Sequence, residues 1–471
     1  MASREKSLAK NTLILTVGKI STQAISFFLL PLYTAYLTKE DYGIVDLMST
    51  IITLLLPIVS LQMEQAIFRY MAEFRNDKRK LQSIVTTSFS FIFVQILLYI
   101  ALFCVAQLFV DNPYKWFLLS NLIAAVINFS LMQVLRGLGD NTGYAVAAFI
   151  SSVINICVNL ILILRYRWGA ASMLTAALVG NLVSIVYIVF RAGFWDYYRL
   201  KYFDRHELKE LLAYSAPLVP NELSWWAIRT SDRFIISAVI GLAANGVVAV
   251  ANKFPSIFVM LYNIFGIAWN ESIILHLKDE DGAVYFSNML NRMIRIFSCV
   301  ALLVIAFMPV AFNLLVNETF QQAYDLIPLY MTGAILNVVI GLVSAVYIVY
   351  KQTKVIAKTS FLSAVICIIM NVVLVNYIGV YASPVSNIVG FGIMAMYRGW
   401  DINRFVKVNW DMRYMISFVV ILILTMALYY TETDYLKYVA MLMTIVFTYI
   451  TNRKDIKYIC SVCLNKFKAV L

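Results

Sequence analysis

Apolar runs near or above twenty residues recur along this chain, separated by short polar loops. A bilayer's hydrocarbon core is roughly 30 Å thick, the length of ~20 helical residues, and inside it every backbone N–H and C=O must bond within its own segment. The runs are too long for the ten-residue alternation of barrel strands. The expected fold is therefore an all-α polytopic membrane protein. Composition agrees, because 62% of the 471 residues are hydrophobic and only 14% are charged, where soluble domains carry about a quarter charged. About fourteen transmembrane helices are expected, centred near residues 24, 56, 95, 125, 153, 182, 226, 256, 301, 338, 367, 391, 421 and 442. No small-residue cleavage site follows a short apolar core near the N-terminus, so the first span is expected to stay and no signal peptide is expected.

The 38 Lys and Arg residues orient the spans. One alternate set of loops holds 29 of them and the other holds five, Lys39, Lys115, Arg165, Arg167 and Lys437. By the positive-inside rule both termini are expected in the cytoplasm. The net charge of +12 then follows from cytoplasmic loops facing anionic headgroups, and no nucleic-acid partner is implied.

The segment DYGIVDLMSTI at 41–51 resembles ANGVVAVANKF at 244–254, an offset of 203 residues. Further along, INICVNLIL at 154–162 resembles CIIMNVVLV at 367–375, with Asn159 opposite Asn371. Two matches in the same order suggest a duplicated unit of six helices. Because six is even, the halves are parallel repeats about an axis along the membrane normal, an arrangement whose substrate sites lie between the halves. The expected organisation is an N-terminal lobe at 1–194, a cytoplasmic amphipathic linker at 195–213, a second lobe at 214–407, two extra helices at 408–452 and a basic tail at 453–471.

Four basic residues remain inside spans: Lys19, Arg229, Arg233 and Lys253. Glu222, Arg229 and Arg233 are separated by seven and four residues, so one helix face carries all three. A charge at the bilayer centre costs roughly 2.5–3.5 kcal/mol, which directs such a face toward protein or a wet cavity. Polar stripes at the same spacing run through the first span (Thr12, Thr16, Lys19, Gln23, Ser26) and the second (Asp46, Thr50, Thr53, Pro57, Ser60, Glu64). The eighth carries Lys253, Ser256, Asn263 and Asn270, and the tenth Asn337, Gly341, Ser344 and Lys351. The uncharged members alone would serve as interhelical hydrogen-bond glue. Arg69 and Lys351, near span ends, could instead snorkel to the headgroups. Glu222 and Asp232 could neutralise the nearby arginines as internal ion pairs. Basic residues outnumber acidic ones across the stripes, so a positive surplus is expected to receive an anion, and Arg suits bidentate binding of phosphate or diphosphate.

Cys104, Cys157, Cys299 and Cys367 fall singly in apolar spans and read as packing residues. Cys460 and Cys463 form a CxxC without a second Cys/His pair, so no metal site is expected. Prolines 31, 57, 217, 220, 255, 309, 328 and 384 lie in or at the ends of spans, where they permit kinks.

Leu37 to Gly43 (LTKEDYG), Tyr214 to Pro220 (YSAPLVP) and Ser231 to Phe234 (SDRF) occur in that order. On these motifs, the span count and the duplicated halves, the chain resembles the Wzx-type polysaccharide flippases of the multidrug, oligosaccharidyl-lipid and polysaccharide exporter superfamily. Members commonly carry a tyrosine shortly after the glycine of the second half, where this chain has Gly246, Val247 and Val248. The resemblance implies a multi-pass protein of a prokaryotic plasma membrane that moves an undecaprenyl-diphosphate-linked oligosaccharide to the outer leaflet, for capsule, O-antigen or exopolysaccharide synthesis. It implies alternating access coupled to a proton or sodium ion, no other cofactor, and a polysaccharide polymerase and glycosyltransferases as working partners. Consistently, there is no GxxxxGK[ST] pattern, and His206 and His276 both fall in cytoplasmic loops, so no enzyme is expected. On this reading Lys19, Arg229, Arg233 and Lys253, with Arg69 and Lys351, bind the anion, and Glu64, Glu222 or Asp232 exchanges the coupling ion. Two rivals share the architecture: a multidrug antiporter, whose cavity should be acidic and aromatic, and a flippase for peptidoglycan or teichoic acid precursors.

Overall fold

A computed structural model describes residues 29–109, 112–277, 279–350 and 352–470. They form eighteen α-helices, with no strand among the described residues. The first ten are α1 (Leu30–Tyr36), α2 (Lys39–Ser60), α3 (Met63–Glu73), α4 (Lys78–Ala106), α5 (Lys115–Leu138), α6 (Asn141–Ile161), α7 (Ala170–Ala192), α8 (Phe194–Tyr197), α9 (Arg205–Ser215) and α10 (Leu218–Val239). There follow α11 (Leu242–Ala251), α12 (Lys253–His276), α13 (Gly282–Leu315), α14 (Gln322–Val349), α15 (Thr353–Ile378), α16 (Ala382–Asp401), α17 (Met412–Tyr429) and α18 (Asp434–Val470). The protein is an all-α, multi-pass membrane protein.

Nine helical stretches among the described residues are long and apolar enough to cross a membrane, or ten with the pair α11 and the start of α12, which meet at a 42° bend. One stretch, Lys354–Arg404, contains two helices, α15 and α16, parted by a turn at Gly379–Tyr381. The helix α10 is not among the nine because Glu222, Arg229, Asp232 and Arg233 interrupt its apolar character. The expected span near residue 24 lies outside the described residues.

Polar loop residues set the helix starts. Thr38 and Asp41 form a reciprocal capping box on α2, with Asp41 N–H donating to Thr38 Oγ1 at 3.1 Å and Thr38 N–H donating to Asp41 Oδ2 at 3.2 Å. Asp41 also accepts the Ala170 N–H at 2.9 Å, so one carboxylate of the LTKEDYG motif caps α2 and α7 together. Asp77, Asp140 and Asp411 cap α4, α6 and α17, each side chain accepting backbone N–H groups of the first turn. Prolines 31, 217, 220, 255 and 384 fall at or near helix starts, where a missing N–H is tolerated, while Pro57, Pro309 and Pro328 lie inside helices.

The chain divides into two compact units, one ending at Gly246 and the other beginning at Val247, inside α11. In the first, Ile67, Met71, Ile84, Leu122, Leu135 and Ile188 pack into a core shared by α3, α4, α5 and α7. In the second, Phe286, Leu302, Phe312, Met331, Tyr347 and Tyr429 are fully or almost fully buried. Outside these cores the apolar side chains point outward, as with Phe93, Val94, Leu97, Leu98 and Leu102 on one face of α4. A surface of that kind belongs in lipid.

The segment after α7 is strapped to α4. Gln82 Nε2 donates to Asp196 O at 2.8 Å, Thr86 Oγ1 to Tyr197 O at 3.2 Å, and Thr87 Oγ1 accepts from Asp204 N at 3.1 Å. Lys80 Nζ then meets the buried Glu207 of α9 at 2.5 Å.

Candidate functional site

Within the first unit α2 and α10 run antiparallel, and their facing polar residues form a ladder. Arg233 pairs through Nη1 with Asp46 Oδ1, and its Nε stands 3.9 Å from Asp232. Asp46 is further held by Asn245 Nδ2, at 3.2 Å from Oδ2. One turn along α2, the Thr50 carbonyl accepts the Trp226 indole N–H at 3.1 Å. Arg233 and Asp46 are largely shielded, with side-chain exposures of 12% and 20%, so the pair interacts far more strongly than it would in water.

A second level lies where α2 gives way to α3. Leu61 and Gln62 both adopt left-handed backbone, with φ of 47° and 56°, at a cost of about 1–2 kcal/mol each. The break follows Pro57 by one turn and turns Glu64 inward in the first turn of α3. Glu64 Oε2 is buried without a hydrogen-bond partner, and Glu222, four residues into α10, lies within electrostatic reach of it. About 16 Å of helix separates Glu222 from Arg233 at 1.5 Å per residue.

A third feature closes the opposite end of α2. A Cβ on Gly43 would stand 1.8 Å from the Leu242 carbonyl oxygen, and one on Gly246 would stand 2.0 Å from the Lys39 carbonyl oxygen. Gly43 and Gly246, like Lys39 and Leu242, are separated by the repeat offset of 203 residues. The contact is thus reciprocal, as across a two-fold axis, and only glycine permits backbones to approach so closely. Asn245 seals it by donating to Gly43 O at 3.1 Å.

The expected site residues distribute unevenly over this frame. Arg233, Asp232, Glu64 and Glu222 share the first unit, with Asp232 and Glu64 buried and Glu222 exposed. Arg69 is exposed on α3 with its guanidinium 4.8 Å over the Tyr214 ring, which places the YSAPLVP motif against α3. Lys253 opens α12 and belongs to the second unit. Lys19 and Lys351 lie outside the described residues, as does the side chain of Arg229. Asp46, Asn245 and Trp226 were not among the expected site residues. The signals for the first two are Asp46 at the head of the second span's polar stripe and Asn245 directly before the repeated glycine.

Comparison with known proteins agrees with this architecture. Residues 8–269 match the family described as polysaccharide biosynthesis protein. Over 82 residues the chain is 35% identical to Lsg locus protein 1 of Haemophilus influenzae, a stretch that spans 17% of this chain and 20% of that relative. The lipid II flippase MurJ in its inward closed conformation is similar in structure, with a TM-score of 0.65 at 16% identity over 94% of this chain and 100% of that one. An inward-facing multidrug resistance transporter of the MATE family and MOP superfamily is similar at a TM-score of 0.65 and 13% identity, over 81% of this chain and 95% of that one. At these identities the likeness is one of fold.

Proposed function

The chain belongs to the polysaccharide biosynthesis protein family, and from that premise we propose that it is a flippase for a lipid-linked oligosaccharide, carrying an undecaprenyl-diphosphate-bound repeat unit across a prokaryotic plasma membrane. The observation that carries this reading is the cluster of Asp46, Asp232 and Arg233 between two helices of membrane length. A buried ion pair adds little net stability over apolar packing, and a carboxylate partner is one that an anionic substrate can replace. Arg233 releases Asp46 and takes the diphosphate, with Arg229 of the same helix beside it. The prenyl chain stays in lipid.

The free oxygen of Glu64, near Glu222, suits a coupling proton or sodium ion, because an unbonded buried carboxylate oxygen is costly unless something occupies it. Asp232 is the alternative carrier beside Arg233. If the loop charges orient both termini to the cytoplasm, the Gly43–Gly246 crossing faces the outside, and it parts during the transport cycle. Cytoplasmic glycosyltransferases would supply the substrate and an outer-leaflet polymerase would consume it.

The test is neutralisation of Arg229 and Arg233 together, as Arg229→Gln with Arg233→Gln. Export of surface polysaccharide is expected to fall at least about tenfold, the factor given by losing one charge-assisted contact, with the protein still in the membrane. Unchanged export sinks the reading. Restoration of lipid II flipping in a depleted host, or drug resistance without glycan loss, would replace it with one of the rivals.

A further inference from the structure

On α9, Glu207, Leu211 and Ser215 recur every four residues and are buried, whereas Arg205, Lys209 and Ala213 recur on the opposite face and are exposed. With Leu208 and Leu212, that outer face lines a shallow, open groove of about 450 Å³. The acids of the segment are engaged elsewhere: Asp204 accepts the His206 N–H at 2.8 Å, Glu207 meets Lys80, and Glu210 stands 3.5 Å from His206 Nδ1. Among the described residues neither Arg205 nor Lys209 pairs with an acid. Just before α9, Trp195, Leu200 and Phe203 are 67%, 70% and 41% exposed, interleaved with exposed Arg199 and Lys201.

We propose that this groove binds the phosphodiester headgroup of an anionic phospholipid from the cytoplasmic leaflet. The occupant follows from complementarity. Two cations one turn apart beside half-buried leucines accept a headgroup with its first methylenes, and exposed Trp, Leu and Phe among basic residues place the segment at the membrane interface. The same helix is strapped to α4 through Glu207 and carries Tyr214 beneath Arg69. Lipid seated in the groove therefore covers the face of α9 turned away from α4. The inference shares with the transport reading only the cytoplasmic placement of the linker, and its test reads lipid binding rather than export.

Full-length protein in phosphatidylcholine nanodiscs is labelled with a photoreactive phosphatidylglycerol in competition with unlabelled phosphatidylglycerol, and the labelled peptide is identified. Residues 205–213 are expected to carry the label, with phosphatidylcholine a poor competitor. Arg205→Gln with Lys209→Gln, which keeps helix propensity, is expected to weaken binding about 30-fold, given the contribution of each cation near an anionic surface. Arg205→Lys with Lys209→Arg is expected to retain most of it, which separates lost charge from lost fold. Labelling that ignores the headgroup, or that survives in the double Gln variant, overturns the proposal. So does displacement by undecaprenyl phosphate well below the phosphatidylglycerol concentration, which would give the groove to the substrate.

Discussion

Two arginines sit in membrane-length helices of the two units, and their surroundings differ in kind. Arg233 on α10 faces carboxylates, Asp46 and Asp232. Arg398 on α16 is only 2% exposed and meets no acid among the described residues. Its Nε donates to Thr359 Oγ1 at 2.9 Å, its Nη1 to Ser344 Oγ at 2.7 Å, and its Nη2 to Ile356 O at 3.0 Å and Ser360 Oγ at 2.9 Å. The nearby acid, Asp401, is taken by Tyr347 and Arg404. A guanidinium caged by neutral oxygens from α14 and α15 pins three helices together. One held by a carboxylate can trade it for another anion. Buried charge alone therefore does not mark a binding site; the chemistry of its partners does.

The largest expected effect tests exchange at Arg233. Arg233→Gln leaves Asp46 shielded and uncompensated, and breaking such a pair costs about 3–5 kcal/mol. Adding Asp46→Asn should recover most of that stability in a denaturation series while export stays low, and additive losses would show that the two side chains are not coupled. At Arg398 the opposite pattern is expected. Arg398→Met removes several charged hydrogen bonds at once and should lower stability by at least about 2–3 kcal/mol, with export per folded molecule close to that of the parent, since those bonds join helices and none is given up to an anion. A large export defect at unchanged stability would erase the contrast.

Gly43→Ala probes the crossing that seals the first unit. The added methyl collides with the Leu242 carbonyl, so a loss of about 1–3 kcal/mol is expected, together with greater labelling of cysteines placed beside the crossing. The smallest effect concerns a loop. Burial alone would raise the Asp140 carboxyl, but the Gly143 N–H and the Arg191 guanidinium outweigh it and hold its pKa below the usual carboxylate range. A depressed folded pKa means that stability from this group is complete above the unfolded value and is lost as pH falls through the folded one. The small stability gap between the parent and Asp140→Asn should accordingly close only under acidic conditions below that range.

Much of the candidate site could be read in one dimension. The spacing of Glu222, Arg229 and Arg233 defines a face of α10, and the offset of 203 residues picks out both glycines of the crossing. The partner of Arg233 could not be read, because Asp46 is 187 residues away and helical periodicity carries no information about which face meets which. Arg398 reads as a cytoplasmic loop residue because hydropathy fades there. The structure continues α16 to Asp401 and brings hydroxyls from α14 and α15 around it. Glu64 likewise reads as the end of a continuous stripe, whereas two left-handed residues break the helix and turn it inward.

By itself, then, the sequence determined that this is an all-α membrane protein with charges forced into its interior, because apolar length and helical period are local properties that lipid enforces on every segment. Tertiary structure alone decided which charges are neutralised by acids, which are caged by hydroxyls and which oxygen is left open. Those outcomes depend on distances of a few ångströms across helices far apart in the chain, where a small change in separation alters an electrostatic energy by more than any propensity does.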